Sequence, residues 1–246
     1  MKKFTLFVFA LIILNFICPA GAQSVEKQRT DNSSSQTEKR QPSHLLISPK
    51  KIDPSKAYPL FIFIHGLGGC PRCVLNSFYD VITRQEFYTL IPEGPLKYGN
   101  GFSWYRLNNL ATFKYDAERA EAIIKDLVEQ VAVRKKIDRS KIFLSGFSQG
   151  GRLSFFIGIR NPHMFSAIIP IGGVYMDSIL DTYLKDSKSL MVEIFHGTKD
   201  DVNSFSAMQK AYKKLRAFGL NVTLTTYPLG HTYNKAILEE VLKRVK

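Results

Sequence analysis

The stretch KIFLSGFSQGGRL, residues 141 to 153, decides how this chain is read. An apolar run, Ile142-Phe143-Leu144, stops at Ser145-Gly146, and the residues after Gly150 look helical. Between them lies G-x-S-x-G, with Ser148 at the apex. Such a turn needs glycine because strand and helix close on each other there, and it holds the serine in a strained, exposed position. As a bare pattern it is weak, since a plain glycine turn also produces it. Its place between a strand and a helix makes it far more specific.

Working outward from this turn, strand-like runs occur at 44–47, 58–65, 88–92, 141–146, 167–172, 190–196 and 221–228. Several are continuously apolar and β-branched, as in a parallel sheet covered on both faces. Helical periodicity lies between them. Ala117, Ala120, Ile123, Ile124, Leu127, Val128 and Val131 share one face. Phe205, Met208, Tyr212 and Leu215 share a second, and Ile237, Leu238, Val241, Leu242 and Val245 a third. Alternating strands and helices predict a single α/β domain over 44–246, with a mostly parallel central sheet and helices on both faces.

Ligands of such sheets sit at the carboxyl ends of the strands. There the sequence places His65-Gly66-Leu67-Gly68-Gly69, Glu93-Gly94, Ser148, Gly172-Gly173, His196-Gly197 with Asp200 and Asp201, and His231. A serine hydroxyl is a poor nucleophile without a base, and the base needs an orienting acid. The chain order on this scaffold is serine, acid, histidine. His231, after the last strand, stands where the base is expected. The acid lies in HGTKDD, and pattern alone does not choose between Asp200 and Asp201; the other is a helix cap or a solvated charge. His65 and His196 head His-Gly turns and are expected to hold those turns. The developing oxyanion needs two donors. Gln149 N–H, directly after the serine, and Leu67 N–H, in the glycine-rich HGLGG loop, are the expected pair.

FIFIHGLGG, GFSQGG, HGTKDD and GHTYN, in this order, resemble the α/β-hydrolase superfamily. The chain is most similar to its compact branch of secreted esterases and phospholipase/carboxylesterase or acyl-protein-thioesterase-like enzymes, from about residue 57 onward. The resemblance implies a triad of Ser148, Asp200 and His231, cleavage of carboxylic esters through an acyl-enzyme, and no metal or organic cofactor. HGTKDD is also similar to the equivalent turn of prolyl-oligopeptidase-type peptidases, where the first acid serves. Such peptidases usually carry a large propeller or cap, which this chain is too short to contain. A hydrolase fold used only for binding is the remaining alternative.

PLKYGNGFSWYRLNN (95–109) is an aromatic insertion on the catalytic edge. Phe102 and Trp104 are expected to line the acyl or alcohol pocket, against the alternative that Trp104 anchors the loop. CPRC departs from the general pattern of the superfamily. Cys70 and Cys73, three apart around Pro71, suit a turn closed by a structural disulfide. A thiol–disulfide role is disfavoured for want of a thioredoxin context, and zinc would need further ligands.

Residues 1–22 have the form of a secretory leader. Lys2-Lys3 precede an apolar run from Phe4 to Ile17, and Ala20-Gly21-Ala22 gives a small-x-small site with cleavage after Ala22. The run is short for an uncleaved anchor, so no stable membrane insertion is expected after cleavage, and the expected location is secreted or periplasmic. Residues 23–43 read as a disordered polar spacer. Cleavage removes Lys2, Lys3 and Cys18. The formal net charge of +13 thus falls by two, and the cysteines become an even pair. No basic cluster is interleaved with aromatics as nucleic-acid binders require. The expected partner is a small-molecule or polymer-borne ester, and the oligomeric state stays open.

Overall fold

The computed structural model describes residues 25–28 and 42–245. The leader, and the spacer apart from 25–28 and 42–43, lie outside the described residues. Among the described residues, ten strands and seven α-helices follow in the order β1 Val25–Gln28, β2 His44–Ile47, β3 Tyr58–Ile64, α1 Pro71–Ser77, α2 Tyr79–Ile82, β4 Tyr88–Pro92, β5 Leu96–Tyr98, β6 Gly101–Ser103, α3 Leu110–Arg134, β7 Ile137–Phe147, α4 Gln149–Arg160, β8 Ala167–Ile171, α5 Asp177–Leu180, β9 Met191–Gly197, α6 Phe205–Ala217, β10 Asn221–Tyr227 and α7 Lys235–Leu242.

Eight strands form one sheet in the order β1-β2-β4-β3-β7-β8-β9-β10. The pairs from β4 through β10 are parallel, and β2 runs antiparallel to β4. The runs are apolar throughout because both faces are covered. In β3, Leu60, Ile62 and Ile64 enter one core, while Phe61 and Phe63 enter the other. The first core holds the buried faces of α3, α4 and α6, and the second those of α1, α2 and α7. The parallel strands end together, so His65, Ser148, Gly172, Asp200 and His231 fall on one edge.

Four differences from the sequence reading are local. Val25–Gln28, inside the stretch expected to be a disordered spacer, pairs antiparallel with β2. The outer edge of β2 otherwise offers a row of unpaired N–H and C=O groups, and a neighbouring segment of chain satisfies them. CPRC, read as a turn, opens a helix. Cys70 caps α1, its Sγ accepting from Cys73 N–H at 3.0 Å, and Pro71 takes the first position, where its missing N–H costs nothing. The aromatic insertion is partly ordered as a β5–β6 hairpin. The α3 helix also starts earlier than its apolar face, where Asn109 caps it by accepting from Thr112 N–H.

Candidate active site

The site is built on the turn between β7 and α4. Ser148 has φ 56° and ψ −109°, the only positive φ at a non-glycine among the described residues. This backbone costs about 1–3 kcal/mol and persists only where its surroundings impose it. The surroundings here are the sheet itself. Ser148 N–H donates to Ile171 O on β8 at 3.0 Å, and a Cβ on Gly150 would collide with the Ile64 carbonyl of β3. The helix is thereby pressed onto the strand ends with Ser148 at its cap.

Ser148 Oγ lies 2.8 Å from His231 Nε2, and His231 Nδ1 lies 2.8 Å from Asp200 Oδ2. The Asp200 side chain is almost fully buried, and its Oδ1 accepts from the N–H groups of Val202 and Asn203 at 3.0 and 2.7 Å. Asp201 is exposed. Of the two adjacent acids, Asp200 therefore meets the imidazole. A hydroxyl, an imidazole and a buried carboxylate in line can pass a proton from the hydroxyl to the ring while the carboxylate steadies the charge that forms.

The HGLGG loop runs beside the serine. Gly68 and Gly69 spend their N–H groups on Phe102 O and Gly66 O, at 2.9 and 3.0 Å. No acceptor among the described residues takes the N–H of Leu67. Gln149 opens α4, where the first N–H groups lack intrahelical partners. Both expected oxyanion donors thus stand at free backbone positions flanking the serine.

Two histidines hold the turns rather than reach the serine. His65 is buried; Gly94 N–H donates to its Nε2 at 3.1 Å, so the proton sits on Nδ1, which donates to Gly66 O at 2.7 Å. Burial lowers its pKa to about 4, against the opposing bond to Gly66. His196 is fully buried, and its Nε2 donates to Asn203 O at 2.8 Å. Burial lowers its pKa too, with the bond to Asn203 and the charge of Asp200 acting the other way.

Trp104 corrects an expectation. It is fully buried and lines no open pocket: its indole N–H donates to His65 O at 3.0 Å, and its ring lies against that of His65. A large aromatic with a donor is buried where the donor finds an acceptor, and the acceptor lies under the loop. Phe102 is half-buried beside the HGLGG loop, with the Lys97 ammonium 4.7 Å over its ring. Leu67, in the HGLGG loop, and Tyr98, beside Gly68, are 45% and 53% exposed.

Three contributors escaped the sequence reading. The Gln149 side chain is buried and hydrogen-bonded to the segment 103–105. Asn203 donates through Nδ2 to Gly172 O at 2.6 Å, tying the Asp200 turn to the end of β8. Tyr233 packs against Phe78 and Phe147, and Phe147 against His231, forming an aromatic floor under the imidazole. Only GHTYN hinted at the last. Cys70 and Cys73 lie side by side directly after the HGLGG loop, their Cα atoms 5.0 Å apart, within the span a disulfide bridges. Among the described residues no three His, Cys, Asp or Glu side chains are grouped to hold a metal ion.

Sheet order, serine turn and strand-end residues together define an α/β-hydrolase fold in a single domain. The profile of the phospholipase/carboxylesterase family matches residues 48–246, and the chain belongs to that family. It is 28% identical over 198 residues to acyl-protein thioesterase 1 homolog 2 of Dictyostelium discoideum, covering 73% of this chain and 88% of that protein. It is 25% identical over 207 residues to carboxylesterase SOBER1 of Arabidopsis thaliana, covering 77% and 90%. Among solved structures, esterase PE8 is similar in fold, with a TM-score of 0.68 at 21% identity, covering 84% of this chain and all of that one.

Proposed function

We propose that this protein is an exported serine hydrolase that cleaves carboxylic esters through an acyl-enzyme on Ser148. The observation that carries the reading is the unbroken line from Ser148 Oγ through His231 to the buried Asp200, each step 2.8 Å. Membership of the phospholipase/carboxylesterase family supports it, as do relatives named as thioesterase and carboxylesterase.

In this mechanism Ser148 Oγ attacks the ester carbonyl and passes its proton to His231 Nε2. Asp200 holds the Nδ1–H tautomer and stabilises the imidazolium. The carbonyl oxygen becomes an oxyanion held by the N–H groups of Leu67 and Gln149. The imidazolium then protonates the departing alkoxide, leaving the acyl group on Ser148. Water, deprotonated by His231, releases the acid and restores the serine. Leu67 and Tyr98 give the edge an apolar rim suited to an acyl chain or an aromatic alcohol. Export rests on the form of residues 1–22, and oxidation of Cys70 and Cys73 in the exported protein belongs to the same proposal.

A fluorophosphonate probe tests it. The wild type should be labelled on Ser148 alone and should hydrolyse p-nitrophenyl esters, while Ser148→Ala should do neither and keep its melting temperature. An unlabelled, inactive wild type would overturn the reading. A panel of esters and thioesters of rising acyl length then ranks substrates.

A further inference from the structure

A primary carboxamide is costly to bury unless its donors and acceptor are met. The carboxamide of Gln149 is buried and met on both ends, all by one short segment. Its Oε1 accepts from Trp104 N–H at 3.1 Å, and its Nε2 donates to Tyr105 O at 3.2 Å. The Ser103 hydroxyl, with one proton, donates to Tyr105 O at 2.9 Å and lies 3.2 Å from the same Oε1. The same strand of chain is bonded on its other side to the HGLGG loop. Phe102 N–H donates to Gly69 O, and Phe102 O accepts from Gly68 N–H, both at 2.9 Å. Trp104 adds its indole bond to His65 O.

Residues 102–105 are therefore held between two structures that the proposed chemistry uses. On one side is the first residue of α4, whose own N–H is one oxyanion donor. On the other is the loop that carries Leu67 N–H, the second donor. We propose that the Gln149 carboxamide is a positioning residue for the oxyanion hole, setting the separation and aim of the two donors by clamping Ser103–Tyr105 between them. This rests on the reading of Ser148 as the acylated nucleophile.

Such a role is felt where negative charge develops and scarcely at all by a neutral bound ester. Gln149→Met keeps the length and the burial but removes the carboxamide's bonds to Trp104 N–H and Tyr105 O and its contact with the Ser103 hydroxyl. The variant should lose roughly 10-fold or more in kcat, since small misplacement of donors is expensive in rate, with KM within about twofold. Its affinity for a trifluoromethyl ketone, which binds as a charged tetrahedral adduct, should fall by the same factor as kcat/KM. Ser103→Ala removes the hydroxyl that bonds Tyr105 O and meets the carboxamide oxygen, loosening the clamped segment with less risk to folding. It should lower kcat by about three-fold at an unchanged melting temperature, and it decides the matter if Gln149→Met does not fold. Unchanged kcat and ketone affinity in whichever variant folds would overturn the proposal, as would a rise in KM that alone accounts for the loss. A wild type that takes no fluorophosphonate label brings down the acyl-enzyme reading and this one with it. A labelled, active wild type beside an equally active Gln149→Met sinks this one alone.

Discussion

Asp200 Oδ2 lies 2.8 Å from His231 Nδ1, while Asp201, the next residue, points to solvent. The turn that separates them is held by Asp200 itself, whose Oδ1 accepts from Val202 and Asn203 N–H. Asparagine at 200 keeps an oxygen for those two N–H groups. It presents an NH₂ group to Nδ1, however, which favours the tautomer with the proton on Nε2, facing Ser148. Asp200→Asn should therefore lower kcat by roughly three to four orders of magnitude with little change in stability. Asp201→Asn should stay within about twofold of wild type. Steady-state kinetics on a p-nitrophenyl ester separates the two, and equal losses would show that the carboxylate facing His231 is not the orienting one.

That choice marks where the sequence stopped being informative. Ser148 and His231 were legible because their signals are local: a glycine-flanked serine after an apolar run, and a histidine after the last strand. The two acids differ only in the direction the backbone takes after β9, which a dipeptide does not disclose. Trp104 was legible as an aromatic on the catalytic edge but not in its orientation, which is set by an acceptor 39 residues away. The Gln149 clamp depends on partners 44 to 46 positions distant. The α1 and α2 helices have seven and four residues, too few for a helical period to emerge. The parallel core strands were plain because burial on both faces demands uninterrupted apolar runs.

The β5–β6 hairpin touches the HGLGG loop so closely that a Cβ on Gly101 would collide with the Gly68 carbonyl and crowd that of Gly69. Gly101→Ala must push the hairpin back and strain the two Phe102 bonds to the loop. Its kcat should fall roughly 10-fold or more, because the loop carries Leu67 N–H, the proposed oxyanion donor. Gly99, at the hairpin tip, has φ 54° and open space around it. Gly99→Ala should cost about 1 kcal/mol from the left-handed backbone alone and leave kcat unchanged. Paired kinetics and thermal melts check this. A Gly101→Ala enzyme as active as Gly99→Ala would show that the hairpin does not set the loop.

His65 makes stability depend on pH in a known direction. It is buried neutral, with its pKa lowered from 6.5 to about 4. The unfolded chain therefore binds its proton first as the pH falls. The contribution of His65 is fully present above about pH 6.5 and is lost as the pH drops toward 4. The depression of about 2.5 units corresponds to a loss on the order of 3 kcal/mol over that range. His65→Gln removes the titration. The stability difference between wild type and variant, measured by urea unfolding, should thus shrink between pH 7 and pH 4. A difference that stays constant would mean that folding does not lower the pKa of His65.

The Cys70–Cys73 pair closes a very small loop, so restricting the unfolded chain contributes little to global stability. Its location is what gives it an effect. Cys70 follows Gly69, whose carbonyl is bonded to Phe102, and it caps α1 through Sγ. Pro71 is buried and Val74 and Leu75 enter the core, so the start of this helix is anchored from below. The pair therefore joins a fixed helix start to a loop that must present Leu67 N–H without reorganising. Thiol counting by mass spectrometry under non-reducing conditions should find no free thiol at these positions in protein kept under oxidising conditions. Replacing both by serine should lower kcat by a few-fold or more while shifting the melting temperature by only about 2 °C, the equivalent of roughly 0.5–1 kcal/mol in a domain of this size. Serine at 70 still offers an oxygen to cap α1, so the comparison isolates the covalent link from the cap. Two free thiols under those conditions would show that the pair is not oxidised. An oxidised wild type with unchanged kinetics in the double variant would show that the bridge orders the helix start alone, and that Phe102 and the hairpin suffice to hold the loop.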